Sequence, residues 1–490
     1  MKFIIRFFTI KNTFFFLIGL VTLISINMID GSKIIFLLFT LAFNLFLYLG
    51  FSKKALFFDT FLSIYLWLGF WFKYVYKLLF SSVPYGWDLH TTGNFDFTIQ
   101  SFDNVLTIST IAIFGFIFSI LIRRKFFNFE YTHYSIPQYK NLFYIYKNNR
   151  VLVLSLLIIF IIYMTSTNFL FGFYQKGLVN FFELNFLTHG FYKWLLLFGL
   201  TSLVITTIHF ELFHKKNNFY IPIFLLIFEG FLSNLSLLSR YLVLSLSVVF
   251  FGLYKHIKIF HAHISLRLII LCIFLIFSFS MLNIFLVNNY RYTIYHEDNR
   301  STKIADRVGK IVDNSSNPDL EITFLDKIKP LLVNRWVGME AVMAVSSYDL
   351  LGWNLFLQST KDNKQKYNVS FYDDTFINSP YSDRDKDKYN FNTSPGIIAF
   401  LFYSGSYLFL FFGTFIIGKF GSLFEIYLYK YGGKNIILSA LFANLLAYRW
   451  ASFGYAPHQT YLLVGTIILN IAIFYYADKF STLFIKKNKF

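Results

Sequence analysis

Basic side chains stand inside or at the ends of strongly apolar stretches of this sequence. A charge in hydrocarbon costs several kcal/mol, so such residues are usually retained for a partner. Lys73 and Lys77 are four residues apart and share one face of a helix. Arg240 and Arg449 are the other members of this set. Because guanidinium groups pair bidentately with phosphate oxygens, the set predicts binding of a diphosphate or another anionic headgroup.

A long polar segment between two apolar ones carries the other candidates. Arg335 and Glu340 are five residues apart, so they do not form a surface pair on one helix face. We expect Glu340 to act as a base or to pair with a distant arginine, on a short helix from Arg335 to Tyr348 that lies on or dips into the membrane surface. Arg291, Arg300 and Arg307 are weaker candidates in the same segment, and Arg291 is taken as a further phosphate ligand.

Other kinds of site have no signature in the sequence. It has no Walker loop, no dinucleotide fingerprint and no H-E-x-x-H spacing. The cluster of His256, His261 and His263 has no carboxylate or cysteine beside it, which favours a basic loop over a metal site. We therefore expect neither metal nor cofactor.

Composition indicates a polytopic membrane protein. Of the 490 residues, 56% are hydrophobic and 14% charged, and the 68 Phe exceed what a soluble domain of this size buries. The net charge of +18 suggests nucleic acid until its distribution is considered. Most of the positive charge falls in short loops, where it sets membrane topology, so no nucleic acid partner is expected.

Apolar windows of about 16 to 25 residues, enough to cross about 30 Å of hydrocarbon, predict about twelve transmembrane helices. They lie near 13–29, 33–50, 55–80, 104–122, 151–171, 191–208, 219–234, 239–254, 265–287, 396–418, 435–454 and 460–478. The fold class is therefore all-α. Ser394 is predicted as the N-cap of the tenth span, with Pro395 at its first helical position.

The chain divides into helices 1–9 (residues 1–287), one long loop between the ninth and tenth helices (288–395) and helices 10–12 (396–490). Lys and Arg concentrate in alternate connections, which predicts that both termini are cytoplasmic and the long loop is periplasmic. On this count the intramembrane charges lie in the outer halves of the spans, with little comparable in the inner halves. Glu229 lies in an outer half and is a competing partner for Arg240.

Two pieces of the sequence carry a family resemblance. With the layout of about twelve spans and one late outer loop, Asn334-Arg-Trp-Val-Gly-Met-Glu340 and Ser394-Pro-Gly-Ile-Ile-Ala-Phe-Leu-Phe-Tyr-Ser-Gly-Ser406 resemble the O-antigen polymerase (Wzy-type) group of bacterial envelope proteins.

The resemblance implies metal-independent glycosyl transfer at the periplasmic face of the bacterial inner membrane. The donor would be an oligosaccharide on undecaprenyl diphosphate, and the acceptor a hydroxyl of a second lipid-linked repeat unit. Arg240, Arg335 and Arg449 would contact the diphosphate, Lys73 and Lys77 more weakly, and Glu340 or His458 would take the acceptor proton. Flippase and chain-length regulator proteins are implied partners.

Two alternatives stay open on the sequence. O-antigen ligases share the layout of long outer loop and many spans. A polysaccharide flippase or other transporter suits twelve spans equally, although transporters usually show two matching halves and need no long outer domain.

Overall fold

The computed structural model describes residues 2–80, 87, 90–127, 129–178, 185–215, 218–261, 264–296, 333, 335–361, 370–377, 393–453 and 457–487. The regular elements in these ranges are helices. From the N-terminus they are α1 (Lys2–Ile26), α2 (Lys33–Gly50), α3 (Phe57–Trp67), α4 (Lys73–Phe80), α5 (Ile99–Phe126), α6 (Lys140–Asn148), α7 (Arg150–Phe171), α8 (Phe186–Trp194), α9 (Leu200–His214), α10 (Tyr220–Ser236), α11 (Leu242–Ile259) and α12 (Leu266–His296). The C-terminal part adds α13 (Met339–Ser346), α14 (Trp353–Ser359), α15 (Phe371–Thr375), α16 (Gly396–Phe402), α17 (Tyr407–Tyr431), α18 (Ile436–Ser452) and α19 (Pro457–Lys487).

Two of the long helices contain a π-helical turn. Leu68–Phe72 joins α3 to α4, and Leu195–Gly199 joins α8 to α9. A π-turn inserts an extra residue and rotates the side chains that follow, and such turns are frequent at functional sites.

The described part of the chain is all-helical and has the long apolar helices of a polytopic membrane protein. Among the described residues, eight helices are long and apolar enough to cross a membrane: Lys33–Gly50, Ile99–Phe126, Arg150–Phe171, Leu187–His214, Leu242–Ile259, Leu266–Arg291, Tyr407–Tyr431 and Gln459–Thr482. Three shorter apolar helices are Thr13–Ile26, Tyr220–Ser236 and Ile436–Ser452. Many large apolar side chains on these helices are exposed, as expected for surfaces that face lipid.

The predicted span at 396–418 is wrong. The chain forms the short helix α16, turns, and begins α17 at Tyr407. Gly405 adopts a left-handed φ of +68°, and the Ser406 hydroxyl accepts a hydrogen bond from the amide of Phe409. An αL glycine followed by a serine N-cap ends one helix and starts the next within an apolar stretch that shows no break in hydropathy. Pro395 likewise flanks α16 instead of standing in its first turn.

The centre of the bundle is formed by α2, α3, α5, α11, α17 and α18, which pack on one another. The short helix α13 from the long loop packs against α5 and α16. Met339, Val342, Met343 and Val345 have no exposed surface, so α13 is inserted between helices. The prediction of a helix on or dipping into the membrane surface is thus refined: the helix is shorter and is buried. We call the end of the bundle that holds α13 the loop end.

Buried charge is also present at the opposite end, contrary to the expectation of little charge there. Arg123 forms an ion pair with Asp59 at 2.5 Å, with side chains 1% and 2% exposed. Arg150 pairs with Glu211 at 2.7 Å. Each partner is distant in sequence, so the pairs tie separate helices together. Hydropathy windows average over single charges and do not report them.

Candidate functional site

The candidate site is built around the connection between α10 and α11. It contains Ser239, Arg240 and Tyr241, and the preceding Leu238 has a left-handed φ of +51°. The Tyr241 hydroxyl lies 3.0 Å from that of Tyr65 on α3. Burial raises the pKa of Tyr241 to about 12, so its hydroxyl is uncharged at neutral pH. The face of its ring carries partial negative charge and can form cation–π interactions.

Lys176 lies in the turn after α7 and contacts the connection between α10 and α11. Gly172, in a left-handed conformation, ends α7. The side-chain amide of Asn168 donates to the backbone carbonyl oxygens of Tyr174 and Ser236 at 3.0 and 2.9 Å, which holds the turn against the end of α10. Lys176 then places its Nζ 3.1 Å from the Ser239 hydroxyl and 5.7 Å from the centre of the Tyr241 ring.

Two arginines from other elements lie beside Lys176 or Tyr241, and a third, Arg240, directly precedes Tyr241 in the chain. The Arg335 guanidinium lies 5.7 Å from the centre of the Tyr241 ring. Arg291, near the end of α12, donates to the backbone carbonyl of Lys176 at 3.0 Å. Arg240 donates to the side-chain oxygen of Asn288, also on α12, at 3.3 Å. We call Lys176, Arg240, Arg291 and Arg335 the Tyr241 cluster.

The pKa of Lys176 reports the electrostatics of the Tyr241 cluster. Burial lowers the pKa of Lys176 to about 8, and the charges of Arg335 and Arg291 lower it further in the same direction. The site therefore repels additional positive charge. An anion placed there would be attracted by the same charges.

Arg449 flanks the cluster across the Lys176 turn. It donates to the side-chain oxygen of Gln459 on α19 at 3.3 Å. Its charge also acts on Tyr174, where it partly offsets the rise in pKa caused by burial. Lys193 Nζ lies 5.6 Å from the centre of the Tyr174 ring.

Lys73 and Glu340 belong to a separate contact. Lys73 Nζ lies 2.9 Å from Glu340 Oε2 in an ion pair and also donates to the carbonyl oxygen of Trp336. The pair spans 267 positions of sequence. The sequence predicted a distant arginine as the alternative role for Glu340, and this is wrong in residue type: the partner is the distant lysine Lys73. Lys77 lies 5.3 Å from the Trp87 ring centre, outside the Tyr241 cluster.

Close backbone packing holds the Arg335 segment in place. A Cβ added to Gly69, in the first π-turn, would meet the carbonyl oxygen of Val337 at 2.1 Å, and one added to Gly338 would meet that of Gly69 at 2.3 Å. Only glycines permit this approach. Because Arg335 directly precedes Trp336, the Lys73 contact and the glycine contact together hold the backbone from which its side chain extends.

The remaining candidates take different places. Glu229 accepts hydrogen bonds from the hydroxyls of Thr201 and Ser233 at 2.9 and 2.8 Å, an arrangement that does not involve Arg240. His458 lies in the first turn of α19, and its side chain is outside the described residues. Arg300 and Arg307 also lie outside them.

Lys176 and Tyr241 are the members that sequence reasoning missed. Lys176 sits in a short connection, where a single lysine is unremarkable, and Tyr241 is one of 34 tyrosines. The available signal was the position of Tyr241 directly after Arg240. Comparison of the chain with protein-family models, curated proteins and solved structures found no match.

Proposed function

We propose that the chain is a membrane glycosyltransferase that polymerises lipid-linked oligosaccharide repeat units, of the O-antigen polymerase kind. Its donor is a glycan on undecaprenyl diphosphate, and its acceptor is a hydroxyl of a second lipid-linked unit. The reaction forms one glycosidic bond and releases the polyprenyl diphosphate.

The observation that carries the proposal is the Tyr241 cluster. Burial lowers the pKa of Lys176 most, and the like charges of Arg335 and Arg291 lower it further by repulsion. A diphosphate supplies several negative oxygens at once, and its binding would relieve the repulsion. The guanidinium groups belong to α12, to the α10–α11 connection and to the segment before α13, and each can pair bidentately with phosphate oxygens.

The same charges suit the chemistry of the leaving group. As the bond between the anomeric carbon and the diphosphate oxygen breaks, negative charge grows on that oxygen. Fixed cations stabilise this charge more than the charge of the ground state, which lowers the barrier. In this scheme Arg240, Arg291, Arg335 and Lys176 hold the diphosphate, and Arg449 guides the flanking part of the substrate.

The acceptor hydroxyl must lose a proton to a base. Glu340 is engaged by Lys73 and would have to leave that pair to serve. His458 directly precedes Gln459, the partner of Arg449, and is the base we prefer. Under this proposal the Lys73–Glu340 pair positions Arg335, and Lys77 has no part in the site.

The proposal includes a topology. We place the chain in the bacterial inner membrane with twelve crossings, both termini in the cytoplasm and residues 288–395 in the periplasm. Support comes from the positions of Lys and Arg in the sequence. The loop end would then face the periplasm, where the glycan of a translocated lipid-linked unit is available, and a flippase and a chain-length regulator would be its partners.

The glycan pattern of a deletion strain tests the proposal. A polymerase defect leaves lipid A core capped with one repeat unit. Expression of the wild-type chain should restore the ladder of glycans of increasing length on a gel. Polymer that accumulates on the lipid carrier without transfer would identify a ligase instead. Repeat units confined to the inner leaflet would identify a flippase, and either result would overturn the assignment.

A further inference from the structure

Lys176 differs chemically from the arginines around it. A guanidinium stays protonated at any pH that a protein tolerates, whereas a lysine ammonium can lose its proton when it is buried near other cations. The Tyr241 cluster thus combines charges that are fixed with one that can change.

The groups that face Lys176 come from four elements. From the α10–α11 connection, Ser239 lies within hydrogen-bond distance of its Nζ, and the Tyr241 ring lies beside it. From α12, Arg291 is bonded to the backbone carbonyl of Lys176, and from the segment before α13, Arg335 shares the Tyr241 ring. On its own turn, Tyr174 is buried and its hydroxyl keeps its proton.

We propose that Lys176 is a direct ligand of the diphosphate and takes up a proton when the diphosphate binds. This inference rests on the proposed function, because it assumes that the Tyr241 cluster is the diphosphate site. It adds a linkage between substrate binding and pH that the arginines alone would not produce.

The sign of the linkage follows from the charges. Without an anion, burial and the neighbouring arginines lower the pKa of Lys176 from 10.5 to about 8. A bound diphosphate favours the ammonium and raises the pKa again. Above pH 8 the free site is mostly neutral at Lys176 while the bound site is charged, so binding consumes a proton and weakens as pH rises.

The size of the effect can be calculated for a return to the ordinary lysine value. At pH 9 each bound diphosphate would take up about 0.9 proton, and the dissociation constant would rise about fivefold between pH 8 and pH 9. Tyr241, with a pKa of about 12, stays neutral across this interval. A polyprenyl diphosphate is fully ionised there, so its own protonation contributes little.

Isothermal titration calorimetry on the full chain in lipid nanodiscs tests the inference, with farnesyl diphosphate as the probe. Titrations at pH 9 in two buffers of different ionisation enthalpy give the number of protons taken up. We expect a number near the calculated one for the wild type. For Lys176→Arg we expect binding without proton uptake and with a flat dependence on pH, because the arginine stays charged.

Lys176→Met should weaken binding at pH 7 by about tenfold or more and remove the proton uptake. Lys361→Arg, at an exposed position on the long loop, is the matched control and should behave as the wild type. Size-exclusion profiles show whether each variant is folded.

The outcomes separate this inference from the proposed function. If wild-type chain does not bind farnesyl diphosphate more tightly than farnesol, both are overturned. If it binds the diphosphate but takes up no proton at pH 9, or if Lys176→Arg retains the uptake, Lys176 is not the titrating ligand. The diphosphate site would then stand without it.

Discussion

Removal of either partner from the Lys73–Glu340 pair should release the segment that carries Arg335. The two side chains are 2% and 15% exposed, respectively. Loss of one partner from a buried ion pair costs about 3–5 kcal/mol, because the other charge is left without compensation. The two single substitutions should therefore differ in cost.

Glu340→Met leaves the more deeply buried ammonium of Lys73 without its carboxylate, and we take the low end of the range, about 3 kcal/mol. Lys73→Met leaves a carboxylate that water can partly reach, so about half that cost is expected. The double variant Lys73→Met/Glu340→Met leaves no orphaned charge. It loses the hydrogen bond to Trp336 and should cost about 1 kcal/mol.

Hydrogen–deuterium exchange of the amides of α13 reports this local stability. The expected increases in exchange rate are about 150-fold for Glu340→Met, about tenfold for Lys73→Met and about fivefold for the double variant. Lys361→Met, at an exposed lysine, should leave α13 unchanged. Exchange in α13 that matches the wild type in both single variants, or a double variant whose loss equals the sum of the singles, would refute the role given to this pair.

Three further predictions concern packing, phosphate contact and topology. Gly69→Ala should lower stability by about 1–3 kcal/mol because its Cβ would strike a backbone carbonyl. Gly19→Ala, with open space around its Cβ, should not lower stability, because alanine is the better helix former. Thermal unfolding in detergent compares the two, and equal stability would contradict the close contact at Gly69. Arg240→Lys keeps the charge but loses the guanidinium fork, so polymer formation measured on glycan gels should fall about tenfold, and an undiminished ladder would remove Arg240 from the site. Reporter fusions at Lys140 and Asn363 should indicate opposite compartments, and the same compartment for both would overturn the topology.

The hydropathy pattern predicted the all-α membrane fold correctly, because helices that cross a lipid bilayer must be long and apolar whatever they pack against. It failed at 396–418, where Gly405 and Ser406 break the helix without a change in hydropathy. It also gave no sign of the π-turns at Leu68–Phe72 and Leu195–Gly199, because hydropathy does not distinguish a π-turn from an α-turn.

The candidate site was only partly predictable, because some of its contacts join residues that are far apart in the sequence. An arginine in an apolar stretch is conspicuous, so Arg240 could be chosen from sequence. The pairing of Lys73 with Glu340 joins residues far apart in the chain, and composition contains no information on such contacts. The pKa of Lys176 is lowered first by burial and then by the charges of Arg335 and Arg291, which the fold brings to it from the long loop and from α12.

The activity that we propose for this chain is the joining of lipid-linked repeat units at the Tyr241 cluster. The most direct measurement is elongation in proteoliposomes that contain purified chain and lipid-linked repeat units extracted from the deletion strain, with products resolved on a gel. We expect a ladder of lengthening glycans for the wild type and for Lys361→Met, and no ladder for Arg335→Met. Single repeat units that stay unextended beside folded wild-type chain, or a ladder that persists in Arg335→Met, would contradict the claim.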